Sequence, residues 1–202
     1  LISRVAVFLL TYGRISMPKN FKDLSLWQQQ KIKEINSIAE AAIKQPTPLR
    51  LAFEVKGIRL FIKDESQLIT GSHKIRLARS LLIHAVTEGW INEKTRVLAE
   101  LSSGSTARAE AYFAQKLGYA YYAVLDLKNT AEQKQTAIKD LGGKLIDKPS
   151  NDKTPIQDFI QARLMFLNYE KEQWHFIDQF KNASVAIDQD TNLYSPQEGN
   201  IR

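Results

Sequence analysis

"TRVLAELSSGSTARAEAYFAQKLGYAYYAVLDL" spans residues 95–127, and its reading decides the fold. "TRVLAEL" (95–101) is a short apolar run of the kind that forms a buried strand. "SSGST" (102–106) turns the chain into a helical pattern over 105–117, which Gly118 closes as a C-terminal cap. "AYYAVLDL" (120–127) is a second strand-like run. Two strands joined by so short a helical crossover predict a parallel βαβ unit. Downstream the pattern continues. A helix over 130–141 stops at Gly142-Gly143, "KLIDK" (144–148) reads as a strand, and "SNDKT" (150–154) reads as a loop. A helix over 155–170 and a last short strand in "WHFID" (174–178) complete it. Alternation of this kind predicts an α/β domain on a parallel sheet.

Upstream, residues 22–44 place Leu26, Ile32, Ile35, Ile38, Ala39, Ala42 and Ile43 at helical spacing, and "QPTPLR" (45–50) ends the helix with two prolines. "LRLAFEVKG" and "IRLFIKDE" read as a hairpin about Gly57. A helix is expected over 72–88, with Ser72 as its N-cap and Gly89 at its end.

Within that helix Lys74 precedes Leu77, Ala78, Leu81, Leu82 and Ala85, at i+3, i+4, i+7, i+8 and i+11. The lysine is in phase with the buried stripe, whereas Arg76 and Arg79 are not. A lysine pointing towards the sheet loses water and lies near the positive end of a helix. Both effects favour the neutral amine, a nucleophile for carbonyl carbon. The competing reading is a lysine whose head snorkels to water. The "SSGST" turn is open in the same way. Its backbone N–H groups and hydroxyls suit a carboxylate or phosphate, and they equally suit a plain helix cap. Gly104 would let the backbone approach a ligand, at the carboxyl end of a parallel strand where ligands bind. No Walker-type glycine loop is present.

Composition narrows the classes. The 202 residues carry a net charge of +6 and are 44% hydrophobic, values ordinary for a globular domain with a basic surface. There is no Cys, hence no disulfide and no thiolate chemistry, which suits a cytoplasmic location. His73, His84 and His175 lie far apart and give no metal-ligand spacing. No nucleic-acid motif occurs, and "VAVFLL" (5–10) is too short to span a membrane or serve as a signal peptide. Met17 has the look of a natural start. Residues 1–16 are expected to be an irregular extension, and 183–202, which lack periodicity, an irregular tail.

Seven stretches in fixed order carry a family resemblance: "TPL" (47–49), "IKDE" (62–65), "TGSHKIR" (70–76), "ELSSGST" (100–106), "GYAYYAVLD" (118–126), "GGKLI" (142–146) and "DQFKNAS" (178–184). The chain resembles the fold-type II pyridoxal-phosphate enzymes, the family of cysteine synthase, cystathionine β-synthase, serine/threonine dehydratase and the tryptophan synthase β chain. "DQFKN" leans towards the cysteine synthase and cystathionine β-synthase branch. "TGSHK" is also similar to the lysine box of the tryptophan synthase β chain.

The resemblance implies a three-layer αβα fold with a family domain over 17–182, comprising the N-terminal lobe and part of the larger lobe. It implies pyridoxal 5'-phosphate as cofactor, with Lys74 as the Schiff-base lysine and carrier of the substrate's α-proton. It places Ser102, Ser103, Gly104 and Thr106 on the substrate-carboxylate loop, Ser105 beside the cofactor's 3'-hydroxyl, and Gln179 facing the carboxylate. The implied reaction is β-replacement or β-elimination on a serine-like amino acid, in a possible homodimer. From the missing motifs, neither nucleic acid nor membrane is an expected partner.

Departures from the pattern are also visible. Ser105 stands where the family has Asn, Ala107 replaces a Gly, and Ile75 replaces an Asp. The family's later glycine-rich phosphate turn does not occur, nor does the Ser or Thr that meets the pyridine nitrogen. The expectation is a chain truncated before its phosphate cradle that holds the cofactor weakly. The alternative is a non-catalytic binding or regulatory relative. A nucleotide-binding α/β protein lacks its glycine fingerprint here.

Overall fold

The computed structural model describes residues 20–43, 47–148, 157, 160, 161, 164 and 173–193. Helix α1 (Leu26–Ala42) starts on a capping box. Ser25 Oγ accepts the Gln28 N–H at 3.2 Å, and Gln28 Oε1 accepts the Ser25 N–H at 3.0 Å. Its predicted stripe supplies the buried Ile32, Ile35 and Ala39.

Strands β1 (Leu49–Val55) and β2 (Ile58–Lys63) form the predicted antiparallel hairpin. Lys56 (φ 50°) and Gly57 (φ 80°) make its turn, and two positive φ angles give the twist that a tight hairpin needs. Every side chain of both strands is exposed.

Helix α2 (Lys74–Thr87) begins two residues later than expected. Ser72 still caps it, for its Oγ accepts the Lys74 N–H at 3.3 Å. Gly89 (φ 77°) leaves it with a bond from its N–H to Val86 O. The stripe is a poor description of this helix, because every residue from Ala78 to Thr87 is buried. Arg79, expected on the outer side, is among them, and its Nε donates to Asn36 Oδ1 of α1 at 2.7 Å. A helix wrapped by neighbours on most sides is apolar all round, as "SLLIHAV" is.

The βαβ reading holds. Strands β3 (Val97–Leu101), β4 (Ala120–Leu125), β5 (Gly143–Asp147) and β6 (Trp174–Phe176) form a parallel sheet in the order β5-β4-β3-β6. Helix α3 (Ser105–Leu117) connects β3 to β4, and α4 (Glu132–Lys139) connects β4 to β5. Register pairs Leu98 with Tyr121 and Glu100 with Ala123. Side chains alternate across a strand, so Leu98, Glu100, Tyr121, Ala123 and Leu125 share one face. Its apolar members join the main core with α1, α2 and α3. Ala99, Val124 and Phe176 form a smaller cluster on the other face. Of the helix expected over 155–170, residues 157, 160, 161 and 164 are described, and they are helical; the others lie outside the described residues.

The tail expectation is corrected. Helix α5 (Gln179–Leu193) runs through residues 183–193, which were expected to be irregular. Asp178 starts it at φ 59°, with its Oδ1 accepting the Lys181 N–H, and Asn182 and Ala186 are buried one turn apart. Among the described residues no helix is long and apolar enough to cross a membrane.

Candidate functional site

Three of the quoted stretches converge on one carboxylate. Glu65 of "IKDE" binds Thr47 Oγ1 of "TPL" at 3.0 Å, Lys63 Nζ at 3.1 Å, and Arg76 of the lysine box at 3.6 Å. Burial works to raise the Glu65 carboxyl, but Lys63, Thr47 and Arg76 outweigh it and hold the group below the usual range. This knot fixes the first turn of α2 against the base of the hairpin.

Lys74 is the first residue of α2 and is half-buried. Gly71, at φ 68°, turns the chain into the helix, and a Cβ there would sit 2.9 Å from Arg108 Nη1. Arg108 Nη2 donates to Ile69 O at 3.4 Å. The lysine box and the first turns of α3 are therefore in direct contact. Both lie at the carboxyl end of β3, where a parallel sheet gathers its ligands. A separate cleft bordered by Trp27, Lys31, Arg96 and Tyr119 opens at the other end of β3 and β4.

The turn into α3 is built by Ser102. Its Oγ accepts the N–H groups of Gly104 and Ala107, both at 3.1 Å. The hydroxyl is thus engaged in holding the loop, with its proton left to donate. Gly104 sits at φ 114°, a backbone that side chains strain to adopt, and its face is covered by the stem of Lys134. Ser103 is exposed, Ser105 is half-buried in the first helical turn, and Thr106 is buried behind it. First-turn N–H groups have no acceptor within their own helix.

Gln179 arrives from 73 residues away, and its Oε1 accepts the Thr106 hydroxyl at 2.9 Å. Its Nε2 donates to Leu101 O at 3.1 Å, and its backbone N–H to Glu100 Oε2 at 2.9 Å. The structure therefore places two bonded sets on adjacent residues, Ser102 with Gly104 and Ala107, and Thr106 with Gln179. Gln179→Ala removes two of these bonds and leaves Thr106 without its acceptor. Urea denaturation should show a loss of about 1–3 kcal/mol; a variant within 0.5 kcal/mol of wild type, roughly the scatter of neutral surface changes, would mean that Gln179 does not brace the loop.

Two acids at this site were not singled out by the sequence reading. Glu100, fully buried, accepts the N–H of Leu101 at 2.8 Å as well as that of Gln179. Burial, then the nearby charge of Glu110, push its carboxyl well above the usual range against those two N–H bonds. Glu110 is also fully buried, and its Oε2 accepts the Tyr121 hydroxyl at 2.7 Å. Burial raises its carboxyl to about 8, although Tyr121 and the Lys74 charge pull it down. The available signal was phase. Glu110 falls in the buried stripe of α3 with Thr106, Ala107, Phe113 and Ala114, and an acid in a buried stripe calls for a reason.

A family model described as "Pyridoxal-phosphate dependent enzyme" matches residues 42–192. Among curated proteins, the L-cysteine desulfhydrase Cds1 of Mycobacterium tuberculosis is 38% identical over 168 residues, covering 80% of this chain and 43% of that one. Two crystal structures have similar folds. An O-ureido-L-serine synthase gives a TM-score of 0.58 at 28% identity over 72% of this chain and 44% of that one. A hydrogen sulfide-producing enzyme of Fusobacterium nucleatum gives a TM-score of 0.61 at 26% identity over 78% and 46%. The chain thus spans less than half the length of these relatives.

Proposed function

The chain belongs to the pyridoxal-phosphate dependent enzyme family, and on that premise we propose that it carries the amino-acid half of a site for β-elimination or β-replacement on a cysteine- or serine-like substrate. The observation that carries this reading is the contact between the two loops. A half-buried primary amine begins one helix, and a braced carboxylate-type turn begins the helix packed against it. The residues fit the cofactor's aldehyde end, since Lys74 offers an amine there. The start of α3 adds first-turn N–H donors beyond those of Gly104 and Ala107, which Ser102 holds.

Pyridoxal phosphate, when bound, supplies the electron sink for breaking the bonds at Cα and Cβ. The chain's own residues supply position and proton handling. The first turn of α3 and the Thr106 hydroxyl hold the substrate carboxylate, with Gln179 fixing the Thr106 rotamer. Ser102 keeps the turn open by holding the N–H groups of Gly104 and Ala107. Lys74 Nζ would hold the cofactor's aldehyde carbon and would be the base for the substrate's α-proton. Ser105 would meet the cofactor ring where the family has Asn, with a shorter side chain and a hydroxyl in place of an amide.

The names of the relatives favour cysteine as the first substrate to try. With pyridoxal phosphate in excess, the chain should release hydrogen sulfide from L-cysteine, along with pyruvate and ammonia after water addition. Lys74→Ala should abolish the release. Equal sulfide from the Lys74→Ala chain would overturn the role of Lys74. Absence of turnover with cysteine, serine and O-acetylserine alike would overturn the substrate class.

A further inference from the structure

Arg108 carries a positive charge that the described residues do not pair. It is the fourth residue of α3, and its backbone N–H donates to Gly104 O at 2.9 Å, one turn back. Helical side chains lean towards the N-terminus, and this one reaches the lysine box. Its Nη1 lies 2.9 Å from where a Cβ on Gly71 would stand, and its Nη2 donates to Ile69 O at 3.4 Å. Nε is buried and has no acceptor. A buried donor without a partner calls for a reason beyond packing. Its burial orients the guanidinium, whose Nη end carries further N–H groups beyond the one given to Ile69.

A second cation flanks the same turn. The stem of Lys134, from α4, covers Gly104, with Cδ 2.9 Å from where a Cβ would stand, and the residue is exposed. Among the described residues neither Arg108 nor Lys134 makes an ion pair. Other cations of this region have acids of their own. Glu65 holds Lys63 and Arg76, and Asp126 holds Lys148. A solvated lysine is ordinary. A half-buried arginine with an orphan Nε, set against the loop that leads into Lys74, is not.

We propose that Arg108, assisted by Lys134, binds a phosphate-class oxyanion on the small molecule that Lys74 engages. The guanidinium fork presents parallel N–H donors at the spacing of phosphate oxygens, and the ammonium adds a mobile point charge. This grip is additional to the hold on the substrate carboxylate assigned to Thr106 and the first turn of α3. It deepens the reading given above and rests on it for the place of the ligand. Two sources share the chemistry, the cofactor's phosphate and a phosphorylated substrate side chain.

Inorganic phosphate is the first probe, titrated into the isotope-labelled chain at constant ionic strength without cofactor or substrate. The Ile69 and Gly71 amide resonances should shift and saturate. Arg108→Met, which keeps the apolar stem, should weaken phosphate binding about tenfold or more. Arg108→Lys should recover part of that loss, and Lys134→Gln should weaken binding by less. Lys74→Ala should titrate like wild type, so a failure of the Lys74 reading leaves this result standing. Pyridoxal phosphate against pyridoxal, and O-phospho-L-serine against L-serine, then identify the source. Arg108→Met should weaken the phosphorylated member of at least one pair and spare its unphosphorylated partner. No shift in wild type, equal phosphate binding by wild type and Arg108→Met, or equal weakening of both members of each pair would overturn the site. Should Arg108→Met not fold, unchanged affinity in both Arg108→Lys and Lys134→Gln would overturn it in the same way.

Discussion

Glu110→Gln should make the chain more stable than wild type at pH 8 and leave it nearly unchanged at pH 4.5. The direction follows from linkage. The Glu110 carboxyl is raised from 4.5 to about 8 in the folded protein, chiefly by burial. Between those values the unfolded chain has released its proton and the folded chain still holds it. The unfolded state therefore binds fewer protons, and stability falls as pH rises. Below 4.5 both states are protonated, and above 8 both are ionised, so the loss is confined to that window. Each pH unit in it costs roughly 1.4 kcal/mol, and the whole effect is on the order of a few kcal/mol. Gln keeps an oxygen for the Tyr121 hydroxyl and removes the ionisation. Glu100 is raised in part by the charge of Glu110, so the substitution relieves both acids and the difference between the proteins reports the pair. Urea midpoints at pH 4.5, 6 and 8 provide the measurement. Parallel pH profiles for the two proteins would show that Glu110 is not buried as a neutral acid.

That a stabilising substitution should be available at an internal acid is itself informative. A carboxyl that weakens the fold at neutral pH is a candidate for a role other than stability. The same logic separates Glu110 from Asp126. Asp126 lies at the surface, and its hydrogen bonds from Asn129 lower its carboxyl, an arrangement that only shapes a loop.

The sheet was legible because parallel strands buried on both faces are short apolar runs between turn signals, and "VLAEL", "AYYAVL" and "KLID" are all of that kind. The order of β6 beside β3 was not legible, since nothing local says which edge a three-residue strand joins. Helix α5 was missed because "ASVAIDQD" offers few apolar positions at helical spacing. Of its buried residues, Gln179 and Asn182 are polar, and Asn182 bonds to Ile177 O at 2.9 Å. Arg79 was misplaced because helical phase assumes one buried side, whereas α2 is enclosed and provides Asn36 as a partner. At the site, Lys74 and the "SSGST" turn each stood out locally. Their contact through Arg108 and Ile69, and the bond between Thr106 and Gln179, are tertiary facts that no spacing rule carries. Glu100 and Glu110 were visible as acids among apolar neighbours, a pattern that marks either an error in the reading or a buried polar network.

The central claim is that Lys74 is the amine that meets the cofactor's carbonyl, with the substrate carboxylate drawn to the start of α3 beside it. The most direct measurement is chemical trapping. The chain is mixed with pyridoxal phosphate, reduced with borohydride, digested and mapped for the phosphopyridoxyl group. Most of the label should be on Lys74, and excess L-cysteine or L-serine should lower it there while leaving surface lysines untouched. Label spread over the exposed lysines, with Lys74 no more modified than Lys116 or Lys139, would contradict the account.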